Sequence, residues 1–146
     1  LIGQEVVEVS GMSNKILTAD SSYKFDDMIM NLLRFEKGTL GRSMSNLGPQ
    51  RTKIHGLNVY GTKQTFVNDI PHARLFSGDQ SHQETTITTP YPGVDKFDLI
   101  PDFVSAIEEN RQPAVPLTDI FRVMDICFAC YDSLAAQRTI PVTYLI

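Results

Sequence analysis

Three histidines, two cysteines and a few adjacent carboxylates are the side chains of this sequence best suited to chemistry, and their spacing removes most of the options. His55, His72 and His82 form neither an HxxxH nor an HExxH pair, so no histidine metal site is marked, and His72 and His82 lie in loop-like sequence where solvation explains them. Cys127-Phe-Ala-Cys130 has the spacing of a redox or zinc motif. It sits about two turns inside a helical pattern, away from the helix N-terminus that lowers a thiol pKa, and no second ligand pair accompanies it; both cysteines are expected to be small core residues. Asp26-Asp27, Glu108-Glu109 and the Asp95, Asp98, Asp102 group are neighbours along the chain, which usually point apart and do not oppose each other across a cleft. No GxSxG elbow occurs, and Gly38-Thr-Leu-Gly41 is neither GxGxxG nor placed before a helix.

His55 stands apart. Between Arg51 and Tyr60 the alternation puts Arg51, Lys53, His55, Leu57 and Val59 on one strand face, so that face changes from polar to apolar along its length. Such a face describes a strand end emerging into solvent. It equally describes the polar rim of a pocket, where Arg and Lys orient an anionic or polyhydroxylated ligand and His supplies a tunable donor or base. Arg51, Lys53 and His55 are therefore the candidate substrate-binding residues, and no catalytic, cofactor-binding or metal-binding residue is marked.

The elements that must position them follow from periodicity. Glu5 to Met12 reads as a first strand, and Met28 to Phe35 with Thr39 to Leu47 reads as an antiparallel hairpin turning at Gly38. Arg51 to Tyr60 and Thr65 to Val67 form a second hairpin around Gly61 to Gln64, with short extended pieces at Arg74 to Phe76 and Thr85 to Thr88. Asp98 can cap a helix carrying Ile100, Phe103, Val104 and Ile107 and ended by Gln112-Pro113. Thr118 can cap a longer one whose buried stripe would be Ile120, Val123, Met124, Cys127, Tyr131 and Leu134, and Pro141 precedes a last strand, Val142 to Leu145. Strands first and helices after predict an α+β fold: a mainly antiparallel, open-faced sheet with helices packed on one face.

Composition bounds the partners. With 146 residues, 42% hydrophobic, the chain is expected to form one domain, residues 1–146. A net charge of −4 with no basic block argues against nucleic acid. The longest apolar runs fall far short of the roughly 20 residues that span a bilayer, and two cysteines without a disulfide framework fit a cytoplasmic protein.

Phe25 to Gly41 resembles a DxxxxxLxFxxGxxG hairpin and His55 to Phe66 a hxVyGtxGtf hairpin; Phe103 to Ile107, Pro116 to Asp119 and Tyr131 to Ser133 resemble two closing helices. In this order they are similar to the C-terminal domain of the Gfo/Idh/MocA oxidoreductases. The resemblance implies an enzyme that uses NAD or NADP to move hydride to or from a sugar, cyclitol or related polyol. It implies that an N-terminal Rossmann domain binds the cofactor and that the catalytic residues lie upstream of Leu1, so the segment alone is not expected to be active. It also implies a substrate contact from the strand that begins near Arg51, and a homo-dimer or tetramer formed through the open sheet face. Gln64 stands where the family's turn has its second glycine, which points to a changed hairpin. Two rivals remain beside this reading: a non-catalytic ligand-binding or assembly module, and a small stand-alone enzyme with a site around His55.

Overall fold

A computed structural model describes residues 2–50, 55–78, 83–89 and 99–146. The contacts of the chain gather into two units, Leu1–Pro49 with Ala106–Ile146, and Gln50–Ser105. Strands and helices together make an α+β protein, as expected, with every strand pairing antiparallel in two four-stranded sheets.

In the first unit the sheet has the order β3-β2-β1-β8, from β1 (Val6–Asn14), β2 (Met28–Phe35), β3 (Leu40–Asn46) and β8 (Ile140–Pro141). The β2–β3 hairpin turns where glycine was expected to turn it. Gly38 holds φ at +86°, a value that strains a side chain, and its N–H donates to Phe35 O at 2.9 Å while Phe35 N–H donates to Thr39 O. In β1 a bulge between Val6 and Glu8 shifts the alternation, so that Val6 and Val9 both turn to the same core.

That core is closed by α2 (Leu117–Ala136), which lies on β1 through small residues. Ala129 packs on Val6 and Val9, and Ser133, wholly buried, accepts Gly11 N–H at 2.9 Å while its hydroxyl donates to Arg138 O at 2.6 Å. The buried face of α2 is thus Asp125, Ala129 and Ser133, with Ile126 and Cys130 beside it. Of the stripe expected to be buried, only Leu134 is half-buried, near Gly11; Ile120, Val123, Met124, Cys127 and Tyr131 are exposed, so Cys127 is not a core residue and Cys130 is only half-buried. The reason is distance of approach. A backbone-to-hydroxyl bond between strand and helix needs small side chains at the contact, and the bulky ones are displaced to the far side.

Helix ends also depart from expectation. The residue before α2 is Pro116, extended at φ −64° and ψ 149°, and its carbonyl accepts Asp119 N–H at 3.0 Å; Thr118 lies inside the first turn and makes no cap. The helix α1 (Leu99–Glu108) stops before Gln112-Pro113, because Asn110 adopts φ +51° and Arg111 N–H donates to Ala106 O at 2.9 Å. Asp98, its expected cap, lies outside the described residues, as does Asp95.

The last strand is β8, earlier than Val142 to Leu145. Val142 N–H still donates to Val7 O, but side chains then take over from the ladder. Tyr144 hydroxyl donates to Val6 O at 2.9 Å and accepts Val6 N–H at 3.0 Å, and the buried Asp125 carboxylate accepts Leu145 N–H. Burial raises the Tyr144 phenol above its usual pKa. At the other end of β1, the connection to β2 is clamped by Asp27, whose carboxylate accepts both Thr18 Oγ1–H at 2.5 Å and Thr18 N–H at 3.1 Å. The Thr18 hydroxyl holds the Asp27 pKa below the ordinary 3.8.

In the second unit β4 (Asn58–Tyr60), β5 (Gln64–Val67), β6 (Ala73–Ser77) and β7 (Gln83–Ile87) form a meander in sequence order. The row Val59, Phe66, Leu75, Thr85 crosses one face, and the row Asn58, Val67, Arg74, Thr86 crosses the other. Among the described residues no helix is long and apolar enough to cross a membrane.

Two outcomes follow from the first unit. A Cβ at Gly11 would stand 2.7 Å from Asn31 Oδ1 and 2.9 Å from Leu134 Cδ2, so Gly11→Ala is expected to cost about 1–3 kcal/mol in urea unfolding; unchanged stability would show that helix and sheet separate freely. The depressed Asp27 pKa makes its clamp stabilising above pH 3.8 and lost only as pH falls through the lower folded value. The stability gap between the native chain and Asp27→Asn is therefore expected to be constant at neutral pH and to close in strong acid, and a gap independent of pH would contradict the clamp.

Candidate functional site

Of the three candidate binding residues, His55 is described and Arg51 and Lys53 lie outside the described residues, as does His82. His55 precedes β4 instead of lying in it, and its side chain is exposed. Its backbone explains the shorter strand. Asn68 Nδ2 donates to His55 O at 2.9 Å and Asn68 N–H to Leu57 O at 2.8 Å, so a side chain supplies one of the bonds that a neighbouring strand would otherwise make. The first of these bonds ties the His55 carbonyl to the turn between β5 and β6.

That turn carries the polar groups that the sequence reading passed over. The Ile70–Pro71 peptide is cis, and Asp69 Oδ1 accepts Ile70 N–H at 2.8 Å. Asp69 Oδ2 pairs with Arg74 Nη2 at 3.2 Å, and the Arg74 guanidinium lies 5.5 Å over the Phe76 ring. Arg74 stands directly across from Thr86 in the β6–β7 register. An open groove of about 320 Å³ is lined by Asp69, Ile70, Pro71, His72, Arg74 and Thr86. Its volume falls within the usual small-molecule range. His72, exposed as expected, is one wall of that groove.

The groove combines a guanidinium fork, a carboxylate, an imidazole and a hydroxyl with an apolar Ile-Pro wall. Arg74 is held on one side by Asp69 and from below by Phe76, and its other N–H groups make no bond among the described residues. Such a pair donates and accepts at once, which suits neighbouring hydroxyls of a polyol better than a single charge. The signal in the sequence was the turn chemistry Asn68-Asp69 before Pro71, with His72 and Arg74 just after it. The ion pair Asp69–Arg74 and the cross-strand Thr86 needed the folded register.

The first unit contains none of the three histidines. Its sheet has a face, away from α2, that carries Met12 at 80% exposure, Leu40 at 69%, Leu32 and Met44. A groove of about 290 Å³ there is framed by Leu32, Leu40 and the Arg34–Glu8 ion pair of 2.6 Å. Among the described residues no group of three or more His, Cys, Asp or Glu side chains could hold a metal ion.

No protein-family model matches the chain, and no curated protein matches it in sequence. Solved structures share its fold. A levoglucosan dehydrogenase in complex with NADH and levoglucosan superposes with a TM-score of 0.77 at 19% identity, over 94% of this chain and 45% of that one. An oxidoreductase domain protein from Kribbella flavida gives 0.78 at 19% identity, over 97% of this chain and 45% of that one. An aldose-aldose oxidoreductase from Caulobacter crescentus complexed with glycerol gives 0.72 at 17% identity, over 95% and 42%. The chain therefore spans less than half the length of the structures it matches. At these identities the likeness is one of fold.

Proposed function

We propose that residues 1–146 are the C-terminal domain of an NAD(P)-dependent Gfo/Idh/MocA-type oxidoreductase that moves hydride to or from a sugar, cyclitol or related polyol. The observation that carries this reading is the fold, shared over nearly the whole chain with under half of a levoglucosan dehydrogenase. The role of the segment in that enzyme is to contact substrate and to assemble subunits, in the cytoplasm. Arg51, Lys53 and His55 remain the proposed substrate contacts, joined by His72 and the Asp69–Arg74 pair, since Asn68 ties His55 to the turn that bears them.

The described residues do not fit the dinucleotide. A pyrophosphate site of that class needs a glycine turn opening a helix, whereas Gly38 and Gly41 belong to the β2–β3 hairpin. No step of the reaction is therefore assigned to this segment. Its chemistry is positional: Arg74 donates to, and Asp69 accepts from, hydroxyls of a polyol lying in the groove, while His72 adds an exchangeable donor or acceptor.

The binding test uses the chain itself. Saturation-transfer NMR is expected to show saturable binding of monosaccharides or cyclitols, weakened about tenfold or more by Arg74→Ala, which removes charged hydrogen bonds. NADH fluorescence is expected to stay unchanged on adding the chain. Polyol binding indifferent to Arg74 would remove the groove from the proposal, and tight NADH binding would remove the division of labour. The apolar outer sheet face supports the assembly role. Light scattering is expected to give a dimer or larger species that Leu40→Asp dissociates; a monomer at high concentration would refute it.

A further inference from the structure

The groove at Arg74 opens onto a wider sheet face of the second unit. Alternation puts Tyr60, Thr65, Phe76 and Glu84, which stand opposite one another in the register of β4 to β7, on the same face as the row that holds Arg74 and Thr86. The two rings of this face differ in availability. Phe76 is half-buried, and its ring is covered by the Arg74 guanidinium at 5.5 Å. Tyr60 is 76% exposed, and among the described residues neither its ring nor its hydroxyl has a partner. It ends β4, paired with Thr65, and the turn after it is closed by Gly61 N–H donating to Gln64 O at 2.9 Å. The free ring therefore stands on a hydrogen-bonded strand end.

Distance separates this ring from the groove. With β5 between β4 and β6, two strand spacings place Tyr60 roughly 10 Å from Phe76. A single sugar ring held by Arg74 and Asp69 does not extend to Tyr60, whereas a second ring linked to it does. A sugar ring has one side of C–H groups and a rim of hydroxyls. The Tyr60 ring supplies an apolar plate for the first, and Thr65, half-buried between Tyr60 and Phe76, supplies a hydroxyl where two sugar rings would join.

Charge narrows the ligand class. Across the two rows and the adjoining turn, Arg74 is one cation against two carboxylates, Glu84 on β7 and Asp69, with which it is paired. This excess of negative charge repels a phosphate or carboxylate on the ligand. Neutral hydroxyls can instead donate to the carboxylates and accept from the guanidinium.

We propose that this face of the second unit is a two-ring saccharide site, in which Arg74 and Asp69 hold one ring and Tyr60 stacks on the next. Its ligand is a neutral disaccharide or the end of a longer oligosaccharide. The assignment rests on the polyol reading of the groove and adds to it a second ring and an aromatic contact.

The test is saturation-transfer NMR on the full chain with glucose, maltose, cellobiose and glucose 6-phosphate as probes. At least one disaccharide is expected to bind about tenfold or more tightly than glucose, and glucose 6-phosphate more weakly than glucose. Tyr60→Ala is expected to erase the disaccharide advantage while glucose binding stays within about twofold, and Tyr60→Phe is expected to keep the advantage, because stacking uses the ring and not the hydroxyl. Tyr60 is exposed, so both variants keep the fold, which unchanged circular dichroism verifies. Glucose binding without a disaccharide advantage, or an advantage that survives Tyr60→Ala, overturns the two-ring site and leaves the groove reading standing. If none of the four sugars binds, the two-ring site falls together with the sugar reading of the groove.

Discussion

The first unit rests on the seam between β1 and α2. Along that seam Val9 is 1% exposed and Ser133 not at all, and a backbone amide of the strand is satisfied by a side chain of the helix. Because α2 supplies the acceptor for Gly11 N–H, the strand and helix cannot drift apart without leaving a buried donor unpaired, at a cost of about 1–3 kcal/mol. Everything else in the unit is hung on β1. The hairpin of β2 and β3 pairs with one edge of it, β8 with the other, and the Tyr144 hydroxyl brings the C-terminal tail back to Val6. The bulge after Val6 lets one strand contribute two inward valines without a full turn of alternation between them.

How much of this could be read from the sequence depends on whether the controlling interaction is local. The β2–β3 hairpin was legible because its determinants lie within a few residues: alternating apolar positions and a glycine at the one place where φ must be positive. His55 to Leu57, expected in the strand, fall outside β4: the His55 carbonyl is taken by the Asn68 side chain, thirteen residues away, and a side-chain competitor leaves no mark on alternation. The orientation of α2 was misread for a related reason. Periodicity assumes that large apolar side chains face the core, whereas close contact with a sheet selects Ala129 and Ser133 and tolerates Asp125, whose carboxylate is satisfied by Leu145 N–H. That partner is twenty residues distant, and only the fold reveals it.

The candidate site shows the same division. His55 was marked by its place on a changing strand face, and the structure ties it to the turn that carries the remaining polar groups. Nothing in the sequence singled out Asp69 and Arg74 as partners. Only the register that sets Arg74 across from Thr86, with Phe76 beneath the guanidinium, converts them into one side of a groove.

The misread stripe carries its own physical meaning. Having turned its small residues to β1, α2 presents a second apolar side to the outside, where Phe128 is 59% and Tyr131 70% exposed beside Val123 and Met124. The sheet of the same unit likewise carries Met12, Leu32, Leu40 and Met44 on the face away from the helix. A helix apolar on two sides is the pattern of an element packed between layers, and a sheet apolar on its outer face is the pattern of one that meets another surface. Both surfaces leave large apolar side chains that the described residues do not cover. The thin core around Val6, Val9 and Ala129 is therefore closed by one side of α2, and the large apolar residues read from periodicity, Leu134 apart, lie on its exposed side.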